Sequence, residues 1–202
     1  MTDRHTWVLA SNNAGKVEEL NGMLEPSGVT VRAQAELGVD SPEETASTFV
    51  ENALIKARHA SRITGLPALA DDSGLAVEAL DGAPGIWSAR YAGVQGDDAA
   101  NNRKLLSKLE HLSPKERTAR FHCLIVLMRH PLDPIPVICQ GEWEGRIAEA
   151  PRGQQGFGYD PLFLIPEENA TAAELSPQRK AELSHRGRAM AQLRARLSDL
   201  PL

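Results

Sequence analysis

The first half of the chain alternates between short apolar runs and amphipathic stretches. The apolar runs predict three β-strands, at residues 6–10, 29–33 and 66–70. After the first run, apolar side chains recur at helical spacing, at Val17, Leu20 and Leu24. Strand, polar loop and helix therefore follow one another as they do in α/β proteins.

A longer helix is predicted from about Thr48 to Ile63. Thr48 and Glu51 have the spacing of a capping box, and Gly65 is placed to end the helix. Lys56 and Glu51 fall off its most apolar stripe, a position that usually faces water and occasionally faces a site.

The second half predicts a strand-rich region followed by helices. A strand over 75–80 ends at the turn dipeptide Asp81-Gly82, and a polar helix follows over 97–109. Two long strands, 118–128 and 136–147, flank a proline-rich loop and are expected to form an antiparallel hairpin. A capped turn over 176–183 precedes a last helix, whose inward residues are predicted to be Ala189, Leu193, Leu197 and Leu200.

Composition places the chain among ordinary globular proteins. At 202 residues, with 42% hydrophobic and 24% charged residues, it fits one domain over 1–202. There is no apolar run long enough for a membrane span and no basic, apolar leader at the start, so we expect a cytoplasmic protein without a membrane partner. A net charge of −5 without any Lys/Arg block argues against nucleic-acid binding. Cys123 and Cys139 stand apart from other metal-ligating residues and are predicted to be core.

Two adjacent carboxylates, Asp71 and Asp72, come where the third apolar strand should reach the surface. The carboxyl ends of strands are where α/β proteins bind ligands. Neighbouring side chains on an extended backbone point to opposite faces, so one aspartate would serve the site and the other structure. The alternative is a plain turn over 71–74, since Asp, Ser and Gly are common turn residues.

The loop Ser11-Asn-Asn-Ala-Gly-Lys16 lies between a strand and a helix. Such a loop directs backbone N–H groups and a helix dipole at one point, and Lys16 adds a full positive charge, so phosphate is the natural ligand. The alternative is a helix capped by an asparagine, with a solvated lysine.

A second acidic pair, Glu43 and Glu44, follows Ser41-Pro42. Ser41 and Glu44 have the spacing of a capping box, which predicts a helix start here and gives Glu44 a possible local partner. Glu43 has no such partner. Carboxylate oxygens suit Mg²⁺, which takes one or two protein carboxylates and completes its shell with phosphate and water.

A glycine-rich loop over 152–160 carries Phe157 and Tyr159 in a chain with only 4% aromatic residues. Glycine lets the backbone approach a ligand closely, and either ring could stack on a flat base, although a kinked loop with core aromatics is equally common. His185 and Arg186 fall at a helix N-terminus, where positive charge needs an acceptor or an anion nearby.

Several long motifs resemble the inosine triphosphate pyrophosphatase family, and within it most closely the bacterial dITP/XTP pyrophosphatases. They are SNNAGK at 11–16, ENALIKA at 51–57, ADDSGLAVEALDGAPGIWSARYAG at 70–93, GFGYDPLF at 156–163 and ELSPQRKAELSHRG at 174–187. They cover nearly the whole chain in order, without a departure at a motif position.

The resemblance implies an α/β fold with an elongated, mixed central β-sheet flanked by helices, and two lobes around an active-site cleft, as in ITPase-like and Maf-like folds. It also implies a homodimer that uses Mg²⁺ to convert non-canonical purine nucleoside triphosphates (ITP, dITP, XTP) to the monophosphate and pyrophosphate.

Residue roles follow from the same resemblance. Asp72 is expected to be the catalytic proton acceptor and a metal ligand, with Glu43 as a second ligand, although Glu44 is one residue away. Substrate contacts are expected from Ser11, Asn12, Asn13, Ala14, Gly15 and Lys16 at the triphosphate, from Lys56, Ser73 and Lys180, from Phe157, Gly158, Tyr159 and Asp160 along the base, and from His185 and Arg186 at the purine edge.

Two other functions fit parts of the pattern. A non-catalytic nucleotide sensor would use the same loop and aromatic wall, but a mere binder gains nothing from carboxylates placed beside phosphates. A pyrophosphatase acting on canonical or modified pyrimidine nucleotides would share the phosphate and metal residues.

Overall fold

The computed structural model describes residues 6–197, so the predicted inward position of Leu200 lies outside the described residues. Its strands are β1 (Thr6–Leu9), β2 (Thr30–Ala33), β3 (Ala68–Val77), β4 (Thr118–Met128), β5 (Val137–Ile147), β6 (Phe163–Ile165) and β7 (Ala170–Thr171). They form one sheet in the order β2-β1-β3-β4-β5-β6-β7. Strand β1 runs parallel to β2 and β3, whereas β6 is antiparallel to both β5 and β7. The sheet is therefore mixed, as expected.

Five α-helices accompany the sheet in the part of the chain from 6 to 197: α1 (Ala14–Leu24), α2 (Phe49–Thr64), α3 (Asp98–Leu109), α4 (Pro177–Leu183) and α5 (His185–Leu197). The first four begin after a residue whose side chain accepts a backbone N–H of the first turn, namely Asn13, Thr48, Asp97 and Ser176. Gly65 ends α2 in the left-handed conformation, as predicted. Among these described helices, none combines the length and apolar character that a membrane crossing requires.

The chain divides into two compact units. Within the described residues, the first unit comprises 6–72, 123–141 and 186–197. Its core includes Val8 of β1 and Ala70 of β3 together with one face of α2, where Ala53, Ala57 and Ala60 are fully buried. Small side chains on that face let α2 approach its neighbours closely. Cys123 and Cys139 are buried here, as predicted.

The second unit comprises residues 73–122 and 142–185. Its core is richer in aromatic side chains, with Phe163 packed against Phe121 and Trp143 at ring-centroid distances of 4.5 and 5.1 Å. Leu105 and Leu109 of α3 are buried in the same cluster.

The predicted break at Asp71-Asp72-Ser73-Gly74 is wrong. Strand β3 continues through these residues to Val77, so the first part of the strand expected over 75–80 belongs to β3, whereas Glu78–Leu80 form a 3-10 turn. Strand β3 lies between β1, which pairs with it at Ala68 and Leu69, and β4, and this strand pairing outweighs the local turn preference. The turn comes later, at Asp81 (φ +51°) and Gly82 (φ +84°).

The helix start predicted at Ser41 is also wrong, since residues 41–46 have no regular secondary structure. The hydroxyl of Ser41 instead accepts hydrogen bonds from Asn12 Nδ2 (3.0 Å) and Gln34 Nε2 (2.8 Å). The hydroxyl oxygen that would cap a helix therefore accepts from two side chains outside this segment instead.

Candidate active site

The loop at the start of α1 is built by its own side chains. Ser11 Oγ accepts the backbone N–H of Asn13 (3.2 Å), and Asn13 Oδ1 accepts that of Lys16 (3.0 Å). The asparagine cap expected as the alternative to phosphate binding is therefore present. The lysine, however, is not simply solvated, because its Nζ lies 3.0 Å from Asp71 Oδ1.

The other residues of this loop have two roles: Asn12 anchors the loop through its side chain, and Ala14 and Gly15 present backbone N–H groups. Asn12 Oδ1 accepts from Gln34 Nε2 (2.9 Å), which together with the bond to Ser41 ties the loop to the segment after β2. Ala14 and Gly15 occupy the first turn of α1, where backbone N–H groups have no acceptor within the helix. Their amides and the helix dipole are suited to an anion.

A buried ion network extends from this loop through Asp71. Arg186, only 2% exposed, donates through Nη2 to Asp71 Oδ2 (3.3 Å) and through Nη1 to Glu19 Oε2 (2.5 Å). Burial alone would lower the pKa of Arg186, but the charges of Asp71 and Glu19 outweigh it and raise the pKa. Asp71 thus connects Arg186 to Lys16.

Asp72 makes a different set of contacts in the first unit. Lys56 Nζ lies 2.8 Å from Asp72 Oδ1 and 3.0 Å from Glu44 Oε1. Burial raises the pKa of Asp72, and the positive charge of Lys56 offsets part of this shift. Burial also lowers the pKa of Lys56, but the negative charges of Asp72, Asp71 and Glu44 reverse this effect, so the lysine stays protonated. We call Lys16, Glu44, Lys56, Asp71 and Asp72 the charged set.

The carboxylates of the charged set fit Mg²⁺ by donor chemistry. Asp72 and Glu44 place hard oxygens against one ammonium group, whereas Glu43 is exposed. Groups of three or more His, Cys, Asp or Glu side chains that could hold a metal are not found among residues 6–197. Mg²⁺ commonly takes only one or two protein carboxylates beside phosphate oxygens.

In the second unit, the glycine-rich loop is organised around Asp160. Its Oδ2 accepts the backbone N–H of Phe157 (2.9 Å) and contacts Lys180 Nζ (2.7 Å), which lies 4.9 Å from the centre of the Phe157 ring. Gly156 has φ +77°, and a Cβ there would collide with the Asp160 carboxylate, so only glycine fits. The backbone of Phe157 is therefore held by Asp160, and its ring lies against the ammonium group of Lys180.

The other aromatic residue of that loop, Tyr159, is a core residue. Its side chain is buried, its hydroxyl donates to the Ser88 carbonyl (2.8 Å), and burial raises its pKa. Ser73, which follows Asp72 on β3, is half-buried. Of the residues predicted to line the base, Phe157 therefore has the more accessible ring.

His185 and Arg186, neighbours at the start of α5, have different surroundings. The imidazole of His185 stacks on Phe121 with centroids 4.7 Å apart and an interplanar angle of 9°. Arg186 faces the carboxylates of Asp71 and Glu19. The acceptors that a cation at this helix start requires are thus supplied for Arg186. We call Phe157, Asp160, Lys180 and His185 the aromatic set.

The sequence did not reveal two residues that hold the glycine-rich loop. Asp98 Oδ2 accepts the backbone N–H of Gly158 (2.7 Å), and Asn102 Nδ2 donates to the Gly158 carbonyl (2.9 Å). One sequence signal was available: two aspartates, Asp97 and Asp98, stand together where the helix begins, and one of them is enough for the N-cap. Glu19 was missed too, since nothing nearby in sequence marks it as a partner of Arg186.

Comparison with known proteins assigns the chain to a family. The model of the Ham1 family matches residues 7–196. The chain belongs to the Ham1 family. This confirms the resemblance stated from the motifs.

Relatives within the Ham1 family match over nearly their whole length. A protein of Vibrio parahaemolyticus named dITP/XTP pyrophosphatase is 56% identical over 95% of this chain and 96% of its own. One of the same name from Pseudomonas syringae pv. tomato is 58% identical over 94% and 95%. The structure of a HAM1 protein from Coxiella burnetii has a TM-score of 0.88 at 52% identity, covering 96% of this chain and 99% of its own. The mixed-sheet α/β fold is thereby confirmed as a Ham1 fold.

Proposed function

We propose that this chain hydrolyses non-canonical purine nucleoside triphosphates, namely ITP, dITP and XTP, to the monophosphate and pyrophosphate. This reaction would remove them from the nucleotide pool before they enter DNA or RNA. Two of the relatives above carry the name dITP/XTP pyrophosphatase. The structural observation that carries the proposal is the buried Asp72 carboxylate, paired with Lys56 beside a second carboxylate, Glu44.

Asp72 acts as the general base in this proposal. Lys56 occupies its Oδ1, so Oδ2 accepts the proton of an attacking water. The water oxygen forms a bond to the α-phosphorus, the bond from that phosphorus to the bridging oxygen breaks, and pyrophosphate leaves with the bond's electron pair. A carboxylate whose pKa is raised by burial is a stronger base than a solvated one.

The triphosphate is proposed to bind the loop over 11–16. The amides of Ala14 and Gly15 would donate to phosphate oxygens, and Lys16 would neutralise the charge that develops on the leaving pyrophosphate. Lys56, Ser73 and Lys180 are proposed as further substrate contacts.

Asp72, with Glu44 or Glu43, is the proposed ligand set for Mg²⁺. When bound, the ion would offset the negative charge of the phosphates and polarise the reacting phosphoryl group. The position of Glu44 against Lys56 favours it over Glu43 as the partner of Asp72.

Base selection is proposed to rest on the aromatic set and Arg186. Phe157 would stack on the purine, with Gly158, Tyr159 and Asp160 along it. Hypoxanthine and xanthine carry a 6-carbonyl that accepts a hydrogen bond from His185 or Arg186, whereas adenine presents a donor there. A site built around one hydrogen bond can reject the wrong partner by ~10⁴-fold. Guanine must be rejected through its 2-amino group.

The assembly and location are proposed as a homodimer in the cytoplasm that needs no nucleic-acid or membrane partner. Light scattering after size exclusion should give twice the chain mass. A mass equal to one chain would contradict the dimer and leave the chemistry untouched.

The test is pyrophosphate release from ITP, dITP, XTP, GTP, ATP and dUTP, each with and without Mg²⁺. Preference for the first three, with monophosphate as co-product and dependence on Mg²⁺, would support the proposal. Equal turnover of all six would keep the hydrolase and discard base selection. Preference for dUTP would favour a pyrimidine enzyme, and binding without turnover would favour a sensor.

A further inference from the structure

The peptide of Gly158 is held from both sides by helix α3. Asp98, in the first turn, accepts its N–H at 2.7 Å, and Asn102, one turn later, donates to its carbonyl at 2.9 Å. The two side chains lie four positions apart and therefore on one face of the helix. Gly158 has φ +63°, a left-handed conformation that glycine adopts without steric cost.

The N-cap of α3 is supplied by a different residue. Asp97 already caps α3 by accepting the Ala100 N–H (2.9 Å). The position of Asn102 also has a cost in folding stability, since its Oδ1 is buried and has no hydrogen-bond partner among the described residues. An unsatisfied buried amide oxygen is destabilising, so a reason beyond folding is expected.

Phe157 immediately precedes the held peptide. Its own N–H is bonded to Asp160, and Lys180 covers one face of its ring. The backbone on both sides of Phe157 is therefore fixed, on one side by Asp160 and on the other by Asp98 and Asn102. Under the proposed function, this ring is the one on which the base stacks.

We propose that Asp98 and Asn102 are positioning residues that hold Phe157 in the orientation for stacking on the purine. The inference rests on the proposed function. They act through the Gly158 peptide and do not touch the reacting atoms. Removing either side chain takes one hydrogen bond from the Gly158 peptide and leaves the charged set unaltered. Binding of the base should therefore weaken, whereas the rate of the chemical step on bound substrate should be preserved.

The test uses two inhibitors, one that carries the base and one that carries only phosphate, so that binding at the two ends of the nucleotide is measured separately. Inosine monophosphate carries the base, and inorganic pyrophosphate lacks it. In Asp98→Ala and Asn102→Ala, KM for ITP and the inhibition constant for inosine monophosphate should each rise about tenfold, as for a lost hydrogen bond to a fixed group. The kcat for ITP and the inhibition constant for pyrophosphate should stay within about twofold.

Matched controls separate positioning from damage to the helix. Asp97→Ala removes the cap of α3 but leaves Gly158 bound, so it should lower the melting temperature without raising KM. Asp98→Asn keeps an acceptor oxygen and should restore most of the affinity for inosine monophosphate. Melting temperatures of all variants, compared with wild type, show that the chains are folded.

The outcomes distinguish the two proposals. If wild type neither binds inosine monophosphate nor hydrolyses ITP, the proposed function and this inference both fail. If wild type does both and the Asp98 and Asn102 variants match Asp97→Ala in KM and in both inhibition constants, only the positioning role is overturned. A rise in the pyrophosphate constant equal to that for the monophosphate would also overturn it.

Discussion

The charged set and the aromatic set are built by different physics. In the first unit, Lys16 and Lys56 lie 2.8–3.0 Å from carboxylate oxygens, of which those of Asp71 and Asp72 are buried. In the second unit, Phe157 and His185 are held by a backbone hydrogen bond, a cation over a ring and a flat stack. A phosphate chain is recognised by charge, and a purine ring is recognised by shape and by directed hydrogen bonds. The proposed triphosphate and base sites correspond to those two kinds of recognition.

The difference also separates rate from affinity. Buried charges that act on a developing charge change kcat, whereas contacts that a base makes equally in ground and transition states change KM. Variants of the charged set should therefore be slow, and variants of the aromatic set should bind weakly or lose selectivity.

The largest expected effect is that of Asp72→Asn. The amide cannot accept the proton of the attacking water, so kcat for ITP should fall by about 10³-fold, within the usual range for loss of a general base. KM should change by less than about fivefold, since the isosteric side chain still contacts Lys56. A near-normal kcat would move the base to Asp71 or Glu44.

The next effect is on stability. Asp71→Ala leaves the buried guanidinium of Arg186 with Glu19 as its remaining carboxylate partner in the network described above. Breaking a buried ion network from one side should lower the free energy of unfolding by about 3–5 kcal/mol. Urea titration measures this, with Asp97→Ala, an exposed cap, expected to cost about 1 kcal/mol as the control. Equal losses in the two variants would contradict the network's importance.

A smaller effect is expected at Phe157. Stacking of one base on an aromatic ring is worth ~1–3 kcal/mol, so Phe157→Ala should raise KM for ITP by about tenfold or more. Inhibition by pyrophosphate should not change. Phe157→Tyr keeps the ring and should resemble wild type. An unchanged KM in the alanine variant would remove Phe157 from the base site.

The smallest effect is a displacement of the pH profile. Burial raises the pKa of Asp72, and the reaction needs its deprotonated form, so kcat/KM should fall on the acid side at a higher pH than for an ordinary aspartate. Lys56→Met removes a charge that lowers this pKa, and the acid limb should move to still higher pH. Lys108→Met, at an exposed lysine, is the control and should leave the limb in place. A shift to lower pH in Lys56→Met would contradict the pairing.

The sequence predicted elements whose signals are local. Helix α2 carries its own start at Thr48 and its own end at Gly65, and both are confirmed. The turn expected at Asp71 failed because neighbouring strands, which a local pattern does not contain, hold that backbone extended. The helix start predicted at Ser41 is wrong because Asn12 and Gln34, which both lie outside the 41–44 pattern, donate to its hydroxyl.

The same distinction applies to the candidate sites. The residue types within the motifs identified Lys16 and Asp72 as chemical candidates, but their pairing with Asp71 and Lys56 depends on the fold. Lys56 lay off the apolar stripe of its helix and is nevertheless buried, because carboxylates compensate its charge. Asp98 and Asn102 escaped prediction because a backbone peptide some sixty residues away is their partner.

The most direct test of this division of labour is the ratio of kcat/KM for ITP to that for ATP in wild type, Lys16→Ala and His185→Phe. The phenylalanine keeps the stack on Phe121 but has no ring nitrogen to offer a base. We predict that Lys16→Ala is slow with both substrates at an unchanged ratio, and that His185→Phe lowers the ratio by at least about tenfold, up to the ~10⁴-fold that a site built around one hydrogen bond can supply. A changed ratio in Lys16→Ala, or an unchanged one in His185→Phe, would contradict the separation of chemistry from base selection.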